Sequence, residues 1–414
     1  MIKSCLFSAA ITVCLVVACH AEADSSAVAD PALSGWIDEI LAENPDVQAA
    51  QAAVDAAGWR LRAADQPLFN PELEFDYENS EVDTTTGGIS QTIDWADKRG
   101  AHTVVAESER AAAITELRAR RQSLAADLLR SLADWHAADA IARVSEKQSE
   151  LMMRFAHLAE QRQQAGDLGQ VELDLAHLAA ADAAFQQSNA NENLIRTRQA
   201  VTALSGDTSS KWPALDGSLP DLDPRRLDVD HLLAELPELQ ATMARVAAAR
   251  AAVQLSIREK RPDPTLGIRA GKEDSDTLIG ITLSVPLYVR NSFRAEVDVA
   301  NAEWLQAEQE AASLRQQARA DLMAAAEVYR MAQRTWNNWE AAGAPRLSQR
   351  TELLGRLWQA GELNTTDYLV QLKQALETEV SATEQHGRMW RAWADWLSAS
   401  GQVMRWLNLE GDTP

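Results

Sequence analysis

Apolar positions along this chain follow two periods. Over residues 97–164 they recur at helical spacing, with no proline and one early glycine, Gly100. Leu117, Leu124, Leu128 and Trp135 stand 7, 4 and 7 residues apart, the spacing of a coiled-coil seam. At about 1.5 Å per residue this predicts a rod of about 100 Å. Residues 293–359 repeat the pattern, although Gly343 and Pro345 predict a bend or break near Ala342. Shorter helices are expected over 36–64, 171–204, 237–260 and 366–398. Stacked end to end in pairs, they match one rod in length.

The second period is two. Glu72, Glu74, Asp76 and Glu78 alternate with Leu73, Phe75 and Tyr77, giving one acidic and one apolar face. Leu266, Ile268 and Ala270 alternate in a later segment. Ile279, Ile281, Leu283 and Val285 alternate on its partner, with Thr282 and Ser284 facing away. The four strands predicted this way cover 71–82, 86–95, 264–271 and 277–286. Each is about as long as a tilted membrane-spanning strand.

The two halves repeat one another. Asn44-Pro45-Asp46-Val47-Gln48 returns as Leu236-Pro237-Glu238-Leu239-Gln240, and Asn70-Pro71 returns as Asp263-Pro264. Ile89-Ser90 and Ile93 return as Leu283-Ser284 and Leu287. Ala165-Gly166-Asp167-Leu168 returns as Ala360-Gly361-Glu362-Leu363. The offset stays between 192 and 195 residues, which signals a duplication. The expected units are a first repeat over 24–205, a linker over 206–235, a second repeat over 236–408 and a tail over 409–414. Gly206, Pro213, Gly217, Pro220 and Pro224 interrupt the helical pattern in the linker.

This pattern constrains the architecture. A globular domain has no use for helices of about 100 Å, whereas a tube of paired rods does. Four membrane-length strands cannot close a barrel, and an open sheet in lipid leaves backbone groups unpaired at several kcal/mol each. The chain is therefore expected to oligomerise. Three copies supply twelve strands around an open lumen. In the first strand the apolar face then meets lipid, and Glu72, Glu74, Asp76 and Glu78 face the pore.

Composition narrows the function. The formal net charge is −22, which repels phosphate backbones and argues against nucleic acid as a partner. Residues 1–23 read as an export signal: Lys3 is followed by an apolar run over 6–18 that is short for a membrane span. All three cysteines, Cys5, Cys14 and Cys19, lie in this segment. Two processing routes are open: a lipoprotein box ending at Cys19, which would then be acylated, or ordinary cleavage after Ala21-Glu22-Ala23. The seven His and eight Met are scattered without a metal-ligand spacing, so neither a metal site nor a cofactor is expected. His136 and His177 read as surface or packing residues. No nucleophile–base set, P-loop or dinucleotide loop is visible, so the chain is not expected to be an enzyme. Trp390, Trp393 and Trp396, three apart on a helix, read as interhelical packing rather than a ligand surface.

The order of elements, the duplication and the two glycine turns resemble the TolC family of outer-membrane efflux channels over nearly all of the chain. Asn44-Pro45, Asn70-Pro71-Glu72-Leu73, Glu78-Asn79, and Ser90-Gln91 followed by Lys98-Arg99 resemble its heavy-metal branch, the cobalt–zinc–cadmium and copper–silver type. One departure stands out: the Ser-Gln-Pro usual in the family is Ser90-Gln91-Thr92 here, while Pro286 is kept in the second repeat. The resemblance implies a mainly α fold with a small β part. In it, long helical hairpins form a trimeric periplasmic tunnel, capped by a shared twelve-stranded barrel in the outer membrane of a Gram-negative bacterium. It implies a homotrimer that meets a periplasmic adaptor protein and an inner-membrane proton-driven efflux pump.

Residue by residue, the resemblance puts the periplasmic tips, and the adaptor contact, at Gly166-Asp167-Leu168 and Gly361-Glu362-Leu363. It puts gate acids at Glu172 and Asp367, each six residues past its turn glycine. A ring of such acids attracts cations and repels itself as the entrance narrows. Both acids also suit plain helix N-termini. The family's basic gate partner has no counterpart, since Leu363 and Asn364 occupy that stretch. The expected cargo is heavy-metal cations. Drug or protein export through the same fold is one alternative, and a periplasmic coiled-coil scaffold without a pore is another.

Overall fold

The computed structural model describes residues 29–409 apart from 80, 82, 210, 216–218, 224 and 226. The export signal, Cys19, linker residues Gly217 and Pro224, and residues 410–414 lie outside the described residues.

The first half runs α1 (Pro31–Glu43), α2 (Pro45–Ala64), β1 (Glu72–Glu78), β2 (Thr84–Thr92), α3 (Lys98–Gln164) and α4 (Gln170–Ser205). The second half runs α5 (Val229–Glu235), α6 (Pro237–Glu259), β3 (Thr265–Glu273), β4 (Asp276–Ser284), α7 (Arg294–Asn338), α8 (Ala344–Gln359), α9 (Thr365–Ser400) and a short α10 (Val403–Trp406). The 67 residues of α3 correspond to a rod of about 100 Å. It packs along α2, α4, α6 and α9.

The duplication is written into the backbone. Asp97 and Phe293, at the N-caps of α3 and α7, both sit at φ 53°. The hairpin glycines Gly166 and Gly361 have φ 83° and 74°, and the glycines closing α4 and α9, Gly206 and Gly401, have φ 71° and 75°. The two end-to-end splices match as well. The Asn44 side chain donates from Nδ2 to the Leu204 carbonyl at 3.3 Å, joining the start of α2 to the end of α4. Gly401, ending α9, packs against Leu236 and Pro237 at the start of α6.

Three boundaries refine those expected from the periodicity. The helix expected over 36–64 is cut at Asn44, whose side chain accepts from the Asp46 amide at 2.9 Å and caps α2 ahead of Pro45. The interruption expected near Ala342 in the long rod of the second half is present, without ending the rod. The rod passes through a π-helical turn, Trp339–Gly343, in which the Ala344 amide donates to the Trp339 carbonyl. Pro345 has no N–H for the helical ladder, and the wider turn absorbs that loss. Trp339 lies against Gly343, where a Cβ would collide with its ring. The strands also shift: β2 starts at Thr84 and ends at Thr92, and β3 extends to Glu273. Asp274, at φ 53°, makes a two-residue turn into Asp276, a conformation that Asp tolerates better than most residues.

The main core lies where α1, α3, α7 and α9 meet. Leu124, Leu128 and Leu132 of α3 are buried against Leu33, Ile37, Tyr329, Trp393 and Leu397. Trp390, Trp393 and Trp396 are buried there too, with Trp393 stacked on Trp396 at 4.9 Å and tilted against Tyr329 at 5.0 Å. Across this core α3 and α9 are tied by Arg130–Asp395 at 2.5 Å and by Arg391–Asp134. Burial raises the Asp134 pKa despite its Arg391 partner. His136 donates from Nε2 to the Pro213 carbonyl, 2.8 Å away, while His177 is exposed near Glu160 at 3.4 Å.

Candidate functional site

Three regions carry the features that bear on function: the strand sheet, the junction below it and the helix tips.

The four strands form one antiparallel sheet in the order β1-β2-β3-β4. Its register separates two faces. One holds Leu73, Phe75, Tyr77, Ile89, Leu266, Ile268, Ile279, Ile281 and Leu283. These are exposed in the protomer, up to 87% for Leu73 and 82% for Ile281. So large an apolar surface on one sheet face calls for a non-aqueous neighbour. The other face carries Glu72, Glu74, Asp76 and Glu78 of β1, Thr and Ser of β2, and Glu273 and Asp276 at the far turn. Its single base is Arg269. The four β1 acids thus share one face, and Glu74 accepts from the Ser90 hydroxyl at 2.9 Å. Glycines let β2 and β3 approach on this face. A Cβ on Gly88 would stand 2.9 Å from the Ile268 carbonyl, and one on Gly271 would run into the Thr85 carbonyl and Thr86 Cα.

Below the sheet, the chain leaves β2 and enters α3 through a compact polar knot. The Asp94 carboxylate accepts from the amides of Lys98 and Arg99, both at 2.8 Å. Lys98 donates from Nζ to Asp263 Oδ2 at 2.8 Å, with both side chains about nine-tenths buried. Arg258 reaches the Asp97 carboxylate at 2.5 Å. This ties the entry of the first long helix to the segment that enters β3. Lys98 and Asp263 stand in separate motifs 165 residues apart, so nothing local in the sequence pairs them. Only the duplication, which puts both beside strand ends, hinted at their meeting.

At the opposite end, the two hairpin turns share one hydrogen-bond scheme. The Gly166 amide donates to the Gln163 carbonyl at 3.0 Å and the Asp167 amide to the Arg162 carbonyl at 2.9 Å. Gly361 and Glu362 repeat this on Trp358 and Leu357 at 3.1 and 2.9 Å. This is the glycine-closed helix end that supplies partners to the last carbonyls. Asp167 and Glu362 are exposed, whereas Leu168 and Leu363 are half-buried, tucked onto a tip core of Phe155, Trp358, Tyr368 and Leu372. The leucines do not project into solvent, because they cover this aromatic cluster, in which Trp358 stacks on Tyr368 at 4.8 Å. Burial raises the Tyr368 pKa.

Glu172 lies in the first turn of α4, its carboxylate folded back over Gly169. Asp367 lies in the first turn of α9 and is held reciprocally by Asn364. The Asp367 amide donates to Asn364 Oδ1 at 2.8 Å, and Asn364 Nδ2 donates to Asp367 Oδ2 at 2.6 Å. Both acids therefore act as helix-start residues within the protomer. The two hairpins are clipped together nearby by Lys373 and Asp182 at 2.9 Å, and this hydrogen bond raises the Lys373 pKa. Among the described residues no group of three or more His, Cys, Asp or Glu is placed to hold a metal ion. No described helix is long and apolar enough to cross a membrane, which has no bearing on the strands.

Comparisons with known proteins agree with this geometry. Residues 36–207 match the family model of the outer membrane efflux proteins. The cobalt-zinc-cadmium resistance protein CzcC of Cupriavidus metallidurans is 28% identical over 232 residues, covering 54% of this chain and 55% of CzcC. The nickel-cobalt-cadmium resistance protein NccC of Alcaligenes xylosoxydans xylosoxydans is 26% identical over 275 residues, covering 63% of this chain and 62% of NccC. The matched stretches thus span little more than half the length of these curated relatives. In three dimensions the Campylobacter jejuni CmeC outer membrane channel superposes with a TM-score of 0.75 at 15% identity, over 89% of this chain and 85% of CmeC. The chain is thus similar to the outer membrane efflux proteins over residues 36–207 and to heavy-metal resistance proteins over somewhat more than half of its length, and it shares the fold of solved outer membrane channels.

Proposed function

We propose that the chain is the outer-membrane duct of a tripartite efflux system and passes heavy-metal cations outward without itself consuming energy. One observation carries the reading. The sheet has an exposed apolar face, an acidic face and two open edges, β1 and β4, that run in opposite directions. An edge left open in lipid costs several kcal/mol per unpaired backbone group. Pairing β4 of one chain with β1 of the next, antiparallel throughout, removes every edge when three chains close a twelve-stranded barrel. Glu72, Glu74, Asp76 and Glu78 then line the lumen, where their charge favours cations. The long helices continue the lumen as a periplasmic tunnel. Its tips, at Gly166-Asp167-Leu168 and Gly361-Glu362-Leu363, meet an adaptor and, through it, a proton-driven inner-membrane pump. The cargo follows from the names of CzcC and NccC together with the acidic lumen. The two repeats over 24–205 and 236–408, joined by the linker over 206–235, each supply one hairpin to this tunnel.

Glu172 and Asp367 are the gate acids in this reading. Three copies of each converge at the tunnel entrance, and a bound cation relieves their repulsion. The double substitution Glu172→Ala, Asp367→Ala is expected to raise single-channel conductance in a planar bilayer and weaken block by divalent cations. The difference should widen at low salt, since about 10 Å screening at 0.1 M masks part of the ring's field. Unchanged conductance and block with an intact trimer would leave both acids as helix caps. A deletion strain that stays resistant to cobalt, zinc, cadmium and nickel but loses tolerance to drugs would overturn the cargo. Radioactive palmitate incorporated at Cys19 would establish lipidation, and its absence would leave ordinary signal cleavage.

A further inference from the structure

We propose that Arg269 is an inter-subunit clasp, reaching from β3 across β4 to the acidic face of β1 in the neighbouring copy of this chain. The proposal rests on the trimeric barrel above.

Arg269 is the lone base on the polar face of the sheet. Its cross-strand row reads Glu74, Gly88, Arg269, Gly280, so a glycine stands on either side of it. The side chain uses only one of these gaps. A Cβ on Gly280 would have Arg269 Nε, Cγ and Cδ as its three nearest atoms, at 3.0, 3.3 and 3.8 Å, whereas the three atoms nearest a Cβ on Gly88 include no Arg269 side-chain atom beyond Cβ, at 3.1 Å. The stem therefore lies over β4 and leads away from Glu74 of its own chain. Glu74 in turn is engaged by Ser90.

Beyond Gly280 there is no further strand among the described residues, because β4 is the sheet edge. In the closed barrel the next strand is β1 of the neighbouring copy. Its polar face carries four carboxylates, at positions 72, 74, 76 and 78. The stem has already crossed one strand spacing, and one more, about 4.8 Å, separates it from that acidic strand. The guanidinium and a carboxylate stem fill this distance together. An Arg–carboxylate pair there is charge-assisted and can be bidentate. It also offsets part of the repulsion among the stacked β1 acids. The glycine at 280 leaves this route open, and a branched side chain there would crowd the stem, since its Cβ alone would stand 3.0 Å from Nε.

The test uses Arg269→Lys in the full-length protein extracted in mild detergent. The oligomer is first sized by light scattering. Water-soluble carbodiimide then joins the lysine amine to a nearby carboxylate as an amide, with the carbodiimide taken up as its urea. The expected result is a covalent dimer-and-trimer ladder on a denaturing gel. Peptide mapping should join Lys at 269 to one of Glu72, Glu74, Asp76 or Glu78. Adding Gly280→Val to Arg269→Lys should abolish the ladder while light scattering still reports a trimer. Arg269→Ala should lower the temperature at which the trimer falls to monomers, and Arg269→Glu should lower it further. Cross-links confined to one chain, or none at all in an intact trimer, overturn the clasp and leave the barrel reading standing. A monomer in light scattering overturns both.

Discussion

Lys98 and Asp263 make the sharpest test of how the two repeats are locked together. The pair joins the first residue of α3 to the segment leading into β3, 2.8 Å apart, with side-chain exposures of 10% and 8%. Asp263 Oδ1 has no hydrogen-bond partner, so Lys98 is the main compensation for that carboxylate. Lys98→Met keeps the length and apolar stem of the side chain but leaves a buried, unpaired charge. Breaking a buried pair from one side costs about 3–5 kcal/mol. Removing both charges in Lys98→Met, Asp263→Leu leaves no orphan, and such replacements are neutral to stabilising. The expected order of stability is therefore wild type close to the double variant, and both well above the single variant. Guanidinium unfolding of the detergent-extracted protein, followed by tryptophan fluorescence, measures this order. The coupling energy from the cycle should carry most of the single-variant loss. A Lys98→Met variant within about 1 kcal/mol of wild type, or a double variant as unstable as the single losses summed, would refute the argument. The junction would then be held by the Asp94 cap and the strand ladder instead.

Three further outcomes are expected. Gly271→Val forces a side chain into the Thr85 carbonyl and Thr86 Cα, so strands β2 and β3 must part. The trimer of the proposed barrel should be lost in light scattering while the helical circular dichroism signal persists. Asn364→Ala removes the cap of α9 and frees the Asp367 carboxylate. It should cost about 1 kcal/mol and increase hydrogen exchange in the first turn of α9 with little change elsewhere. Tyr329 donates to the Pro220 carbonyl at 2.6 Å, and burial first, with Asp221 second, holds its pKa above the ordinary value. Its neutral form is favoured in the fold, so its contribution is complete below about pH 10. Above that pH the unfolded state ionises first and the contribution drains away. The wild type should therefore lose stability faster than Tyr329→Phe as the pH rises past 10, and parallel curves would refute this.

Much of this protein was legible in one dimension. The period-two runs separate an acidic from an apolar face because side chains alternate strictly along a strand, whatever surrounds it. The register bears out that separation in β1 and puts Ile89, Leu266, Ile268, Ile279, Ile281 and Leu283 on the face of Leu73, Phe75 and Tyr77. The rods and their hairpin turns were legible because helix length depends on the absence of breakers, and because glycine alone adopts φ near 80° without strain. The duplication was legible because it is a property of sequence. Other features depended on groups far apart in the chain. Nothing local distinguishes the Lys98–Asp263 pair, 165 residues apart, from two surface charges. The inward turn of Leu168 and Leu363 depends on an aromatic cluster contributed by α3, α8 and α9. The π turn at Trp339–Gly343 depends on how the rod meets Pro345 while still packing along α9. The direction taken by Arg269 was decided by the glycine opposite it, and strand pairing alone determines which residue that is. Local propensity and periodicity are carried by neighbours in sequence. Pairing, burial and side-chain direction come from neighbours in space, which the chain acquires only when its two halves fold against each other.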